Sequence, residues 1–569
     1  MCAAVAAARH GARVVLIQER PMLGGNASSE IRMWVCGAQG ANMRETGLIE
    51  ELMLENYYRN PDKNYHIWDG ILYDLAVREK NITLLLNCSV NACETADGRI
   101  VSVTGWQMTT QQFHRVYARV FADCSGDSIL APLTGAEYRH GRESESEFGE
   151  ELGRGITAGD TGTMGMSCIL EAREEDRESV FIPPAWAARL TAEDLRHRVP
   201  DLSSPLENYW YLELGGDGDS IADTEKTRHE LLRLAYGLWD YIKNDPEQRE
   251  KNRNWRLDWV GILPGKRESR RYVGDYVLTQ NDVRSEGRFD DIVAYGGWPM
   301  DDHDPRGFRN GGRPNVNYPA PSPYGIPFRS LYSKNVPNLL FAGRNISVTH
   351  WALSSCRVMG TCAVVGQAAG TAAAIAVREN CLPRDVYEKH VGELKQMLME
   401  DDCYLPFNRR AVPELTRKAR ITGVGNAENL RNGIDRPVGD EDNGCFIEPG
   451  GSAEYLFDKP EPVARVRIVW DSELDRRSMP GINGVRFVHN MLCNRPLHMQ
   501  DFHVPHAMTR AYRIEGILPD GSCETIFRAD NNYQRLNEIA VSGVWRGVRL
   551  VPESTWGAEA SHVFAFEVS

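Results

Sequence analysis

The chain has 569 residues, of which 42% are apolar and 25% charged, and its net charge is −14. That length exceeds one hydrophobic core and predicts two or three domains, while the acidic balance argues against nucleic acid as a general partner, since phosphate binding needs a basic surface. No apolar run reads as approaching the ~20 residues that cross a bilayer, so no membrane span is expected. The thirteen cysteines form no CxxC pair and no even framework, which reads as scattered thiols in a reducing, cytoplasmic setting.

In chain order, residues 2–9 are small and helix-forming, and Gly11 supplies a stop. Residues 13–17 form a β-branched and aliphatic run, expected as a strand buried on both faces of a parallel sheet. Glu19 follows, at the end of the second strand, where a carboxylate can grip a ribose. Ala3, Ala4, Ala7 and Ala8 suit a helix packed close behind a phosphate site. Such a helix is normally preceded by a strand and a G-x-G-x-x-G turn. The expectation is therefore that Met1 is a mis-assigned start and that upstream codons encode this loop.

The segment Gln18-Glu19-Arg20-Pro21-Met22-Leu23-Gly24-Gly25-Asn26-Ala27-Ser28-Ser29-Glu30 resembles the adenine-to-flavin stretch of FAD-dependent oxidoreductases of the glutathione reductase type. It is closest to the branch with fumarate reductase flavoproteins and thiazole-synthesis enzymes, and within it to a large bacterial family of FAD-dependent oxidoreductases. Three more segments carry the resemblance. Asn87-Cys-Ser-Val-Asn-Ala-Cys93 follows the strand-like residues 82–86 and places Val90 at the adenine. Residues 119–127 are similar to the family's Asp-x-Thr/Ser-Gly-Asp turn, with Ser125 and Gly126 beside the cofactor. Asn338-Leu-Leu-Phe-Ala-Gly-Arg-Asn345 ends in a glycine turn and precedes a small-residue helix that starts at Ser354. In the family that helix aims its N-terminal end at the flavin.

The resemblance thus implies an α/β fold: a Rossmann-like FAD-binding domain over residues 1–140 and 336–400, with an inserted α+β substrate domain over 141–335. Its implied FAD contacts are Glu19, Arg20, Gly24, Gly25, Asn26, Ser28, Val90, Ser125, Gly126, Gly343, Arg344, Asn345, Gly366 and Gln367. Family members often carry Asp where Arg344-Asn345 stands here, so that contact is expected to differ in detail.

Within the insertion, residues 164–170 and 209–214 read as strands and residues 224–243 as a helix. Lys266 to Asp282 resembles a segment beside the family's active site, and it gathers Arg267, Arg270 and Arg271. A guanidinium there can hold a carboxylate or polyol; the alternative is a surface ion-pair network with Glu268 and Asp275. Asp301-Asp-His303-Asp-Pro and residues 305–327 read as an ordered loop rather than secondary structure. No metal site is expected from that acidic run.

His350 is the leading catalytic candidate. It lies in Ser347-Val-Thr-His-Trp between the flavin-side strand and helix, and an imidazole suits removal of a hydroxyl proton as hydride leaves. Arg357, Arg271 and His303 are further candidates, with His66 a weaker one; His350 and Cys356 are also possible points of covalent flavin attachment. The expected reaction is hydride transfer between FAD and a small polar substrate (a sugar, sugar acid or hydroxy acid), with an unidentified electron acceptor. Two alternatives stay open: reduction of an activated double bond with Arg357 or Arg271 as proton donor, and a flavin-free glycan-binding relic.

Residues 380–405 read as a helical tail and 401–440 as a connector. From 441 to 569 short alternating strands separated by turns such as Pro519-Asp-Gly predict an all-β sandwich. It resembles the galactose-binding-like jelly roll, a fold that does not by itself imply sugar binding.

Overall fold

The computed structural model describes residues 1–482, 485–486 and 489–569. They form two compact units. The first comprises Met1–Gln39, Lys63–Leu394 and His489–Gln500, and the second Gly40–Asp62, Lys395–Val488 and Asp501–Ser569.

In the first unit the helix Cys2–Arg9 is buried from Cys2 to Ala8. It packs on the helix Met359–Arg378, and Gly370 permits the close approach. A Cβ on Gly370 would meet the Ala3 carbonyl oxygen at 2.1 Å, and one on Gly366 would lie 3.5 Å from the Ala3 nitrogen. Only a residue without a side chain fits at 370. At Gly366 the same helix face lies at ordinary contact distance, with room for a Cβ.

Val14–Ile17 pairs in parallel with Ile82–Leu85, and Phe121–Asp123 pairs in parallel with Leu339–Phe341. The first of these strands was expected to be buried on both faces. It is half-buried, with Val15 40% exposed. Cys88–Ala96, Arg99–Gln107 and Gln112–Tyr117 form an antiparallel meander.

The inserted region holds short strands around the 21-residue helix Thr224–Asn244. That helix buries Leu231, Ala235, Leu238, Trp239 and Ile242 on one face, the three-to-four-residue spacing of an amphipathic helix. Residues 301–327, expected as a loop, instead hold most of a hairpin, in which Met300–His303 pairs antiparallel with Asn315–Tyr318, and the strand Tyr324–Pro327. The polar run hid the strand Met300–His303 because its side chains are buried through ion pairs rather than apolar contact.

Among the described residues one helix, Met359–Arg378, is long and apolar enough to cross a membrane by length and composition, a longer apolar stretch than the sequence reading found. Most of it is buried inside the protein, so it reads as a core helix.

The second unit is built on a seven-stranded sheet. Its order runs Cys445–Ile447, Ser561–Val568, Ala453–Trp470, Leu536–Thr555, Thr509–Ile517 and Cys523–Ala529, with Arg420–Thr422 pairing to Ala453–Trp470, and all pairings are antiparallel. Alternate residues such as Val466, Ile468 and Trp470 turn into the core with Val548, Leu550 and Phe566.

The helix Leu48–Arg59 belongs to this unit although it lies early in the chain. Leu54 is fully buried in the sheet's core. Arg476 donates from Nη2 to both Glu50 carboxylate oxygens at 2.7 and 2.8 Å, and both side chains are almost wholly excluded from solvent. Ser472 Oγ donates to the same carboxylate at 2.6 Å. Replacing Glu50 by alanine strands a buried guanidinium, so we expect Glu50→Ala to cost about 3–5 kcal/mol of the second unit's stability in urea unfolding. A loss under about 1 kcal/mol would show that Arg476 finds compensation elsewhere.

Candidate active site

Strand Leu339–Phe341 is fully buried. The chain leaves it through Gly343 at φ +102°, a left-handed conformation that favours glycine. It then enters the helix His350–Cys356, capped by Thr349, whose hydroxyl oxygen accepts from the Ala352 N–H. The same hydroxyl donates to Glu150 at 2.6 Å, and Glu150 also accepts from the Gln280 N–H at 2.7 Å. These contacts fix the strand-to-helix junction and thereby the ring at its first helical position.

That ring, His350, is fully buried, and carboxylates occupy both of its nitrogens. Nδ1 faces Glu268 at 2.9 Å, and Nε2 faces Asp302 at 3.1 Å. Burial opposes the imidazolium, yet Glu268 and Asp302 outweigh it and push the His350 pKa up to about 10. Both nitrogens therefore carry protons at neutral pH. The expected role of His350 as a neutral base conflicts with this state, which offers no free lone pair.

Around it, the His350 N–H donates to Glu143 at 2.9 Å. Arg271, 1% exposed, bonds Glu143 at 3.1 Å, donates to the Gly141 carbonyl and lies 3.5 Å from Glu268. Burial alone would raise Glu268, but His350 and Arg271 hold its carboxyl below the usual range.

Strand alternation sends Asp301 and His303 the other way from Asp302. His303 Nδ1 lies 2.6 Å from Glu213, and its Nε2 lies 3.2 Å from Asp301. Arg357 Nη2 donates to Asp301 Oδ2 at 3.0 Å. Arg267 lies 3.5 Å from Glu213 and donates to Ser167 at 2.9 Å. Burial works against the His303 cation, but Glu213 and Asp301 raise its pKa.

The structure thus gathers His350, His303, Arg271 and Arg357 into one buried region. Arg270 lies apart, its guanidinium 5.6 Å from the Tyr138 ring. Asp275 pairs with Arg384 rather than with the arginine motif, and His66 is exposed. The sequence reading missed the acidic partners Glu143, Glu150 and Glu213, and it did not separate Asp302 from Asp301. Period-two alternation through residues 300–303 was the available signal.

The expected cofactor residues lie on loops and, for Val90, Gly366 and Gln367, on the strand Cys88–Ala96 and the helix Met359–Arg378. Gly24 and Gly25 have φ +103° and +57°, and the space where a Gly25 side chain would stand is open. Asn26 Nδ2 donates to the Lys266 carbonyl at 3.0 Å, and Ser28 Oγ donates to the Gly25 carbonyl at 2.8 Å. Lys266 and Arg344 both pair with Asp127 at 2.9 Å, and although burial would raise Asp127, they hold its pKa down at about 2. Gly126 lies under the Arg344 guanidinium, where a Cβ would fall 2.6 Å from Arg344 Cζ.

Ser125 is exposed and Val90 half-buried. Glu19 is exposed, 3.6 Å from Arg20. Gln367 is buried. Asn345 Oδ1 and Arg344 Nε are buried without a hydrogen-bond partner. The helix Met359–Arg378 has neither a side-chain cap nor an acidic residue in its first turn. The unpartnered Arg344 Nε donor at the 343–345 turn fits the phosphate of an anionic cofactor such as FAD.

The family model described as FAD dependent oxidoreductase matches residues 1–398, and the chain belongs to that family.

No curated protein matches the chain. Similar solved structures include carbohydrate-binding modules. One is chitosan-binding module 1 of a chitosanase/glucanase from Paenibacillus sp. IK-5, 12% identical, covering 28% of this chain and 98% of that one at TM-score 0.19. Another is the family 32 carbohydrate-binding module of Streptococcus pneumoniae EndoD, 14% identical, covering 28% and 97% at TM-score 0.20. A third is the family 32 module of NanJ from C. perfringens, in complex with galactose, 8% identical, covering 26% and 90% at TM-score 0.17.

The raised pKa of His350 makes stability depend on pH. The folded imidazolium contributes fully below the unfolded value of about 6.5, and that contribution is lost as pH rises toward about 10. We expect the thermal midpoint of the wild type to fall between pH 7 and 10 by more than that of His350→Gln. Parallel pH profiles for the two proteins would rule out a charged His350 in the folded state.

Proposed function

We propose that this member of the family oxidises a small polar substrate at a carbon bearing a hydroxyl group, or runs the reverse reduction, with Asp302, His350 and Glu268 handling the hydroxyl proton. The first unit is read as a Rossmann-like FAD-binding domain with a substrate region over residues 141–335, and the β unit as a jelly roll. The observation that carries the proposal is the buried chain Asp302–His350–Glu268, whose outer carboxylate is 18% exposed while the inner one is sealed.

A bound flavin supplies the hydride acceptor or donor. The proton is left to the protein. With both ring nitrogens donating, His350 is the cation that steadies Asp302 and the negative charge developing on the substrate oxygen. Asp302 is the group that takes the O–H proton, leaving a carbonyl as the C–H hydride departs. Glu268 fixes the ring and keeps it charged. The double-bond alternative has less support at Arg271, because its guanidinium is enclosed by Glu143, Glu268 and the Gly141 carbonyl.

The test is anaerobic bleaching of the flavin-loaded enzyme by a panel of 2-hydroxy acids, aldonates, alditols and aldoses. At least one should bleach it, and Asp302→Asn should slow that step by about 10²–10⁴-fold, the usual range for loss of a positioned acid–base group. Wild-type bleaching by Asp302→Asn would remove Asp302 as proton acceptor. Failure of every hydroxyl compound would remove alcohol oxidation itself.

A further inference from the structure

The segment 141–143 faces two ways. Gly141 and Glu143 turn inward, the first accepting from Arg271 and the second from both Arg271 and the His350 N–H. Arg142 between them turns outward and is 27% exposed. Its main chain is clipped to Asp160 in both directions, at 3.2 and 3.0 Å. A Cβ on Gly141 would strike the Asp160 carbonyl oxygen at 1.9 Å, so the backbone crossing depends on glycine.

The Arg142 guanidinium binds the Asp160 carboxylate through Nε at 3.1 Å to each oxygen and through Nη2. It is placed against the hairpin that carries Asp302. The vacant side-chain position of Gly162 lies 3.1 Å from Arg142 Nε, 3.1 Å from Pro305 Cγ and 3.0 Å from Asp160 Oδ1. Arg142 also feels the charges of Asp302 and Asp304. Asp304 is itself taken up by Arg306 at 2.9 Å.

Arg142 is thus a guanidinium on a pinned backbone, across Gly162 from Pro305 in the turn that follows Asp302, and it feels the charge of Asp302. Its partner Asp160 is 38% exposed, and an exposed ion pair adds little stability. A ligand carboxylate matches the same bidentate geometry and can take Asp160's place.

We propose that Arg142 determines specificity at this site: it takes the carboxylate of a hydroxy acid or sugar acid in exchange for Asp160, setting the substrate hydroxyl against Asp302. This rests on Asp302 being the substrate-facing carboxylate. Such an enzyme selects acids over the matching neutral polyols.

Matched pairs test it on the flavin-loaded enzyme: D-gluconate against D-glucitol, and glycolate against ethylene glycol, each followed by anaerobic bleaching. The wild type should favour the acid. Arg142→Gln should lower the acid-to-neutral ratio of kcat/KM by about tenfold to hundredfold, mostly through KM, as expected for loss of one charge-assisted bidentate contact. Arg142→Lys should recover part of that loss, and Asp160→Asn should lower KM for the acid by removing the competitor.

Binding of oxalate, which has no C–H to oxidise, gives a second readout by tryptophan fluorescence, and its Kd should rise over the same range in Arg142→Gln. An unchanged ratio and an unchanged oxalate Kd in a variant that melts like the wild type overturn the role of Arg142 while leaving alcohol oxidation standing. If no hydroxyl compound bleaches the wild type, the oxidation reading falls and this proposal with it.

Discussion

Burying a charge costs far more than burying a methylene unless a partner of opposite sign comes with it, and the first unit is organised around that constraint. His350, Glu268 and Arg271 are all at or below 1% exposure. Each needs counter-charges from another part of the chain. Glu143 comes from one loop, Asp302 from a hairpin, and Glu150 holds the cap of the helix that carries the ring. The hairpin Met300–His303 with Asn315–Tyr318 makes sense in this light: it delivers Asp302 to one side and Asp301 with His303 to the other. Two ion-pair chains thus run on opposite faces of one strand.

The same logic separates the inner side chains from the outer ones. Glu268 and Arg271 have no solvent path, so their work is to hold charge and geometry. Asp302, Arg142 and Asp160 keep partial exposure, so their partners can be exchanged. A redox site needs both kinds, because a fixed field must be present before the substrate arrives and part of the wall must yield to it.

Much of this was legible in the residues themselves. The Gly-Gly turn at 24–25, the strand–turn–helix from 338 to 378 and the alternating strands after 441 announced the framework. His350, His303, Arg271 and Arg357 stood out by residue type and place. Their charge state did not, because it is set by partners far away in sequence: Glu143 is 207 positions from His350, and Glu268 is 82. A polar strand such as 300–303 lacks the β-branched signature that usually marks a strand. The helix Leu48–Arg59 looked like part of the nucleotide-binding half, since nothing in its own pattern tells which core its apolar face will fill.

That helix also sets a timetable. Leu54 is made more than 500 residues before Val563 and Phe566, which share the core that buries it. On the ribosome, the apolar face of this helix stays without these neighbours until more than 500 further residues have been synthesised. Contacts of such sequence separation close slowly, and an apolar surface left waiting is open to association with other chains. The second unit is therefore a late-folding body with an early-made piece, and its yield in the cell will depend on how well that piece is sheltered during the wait.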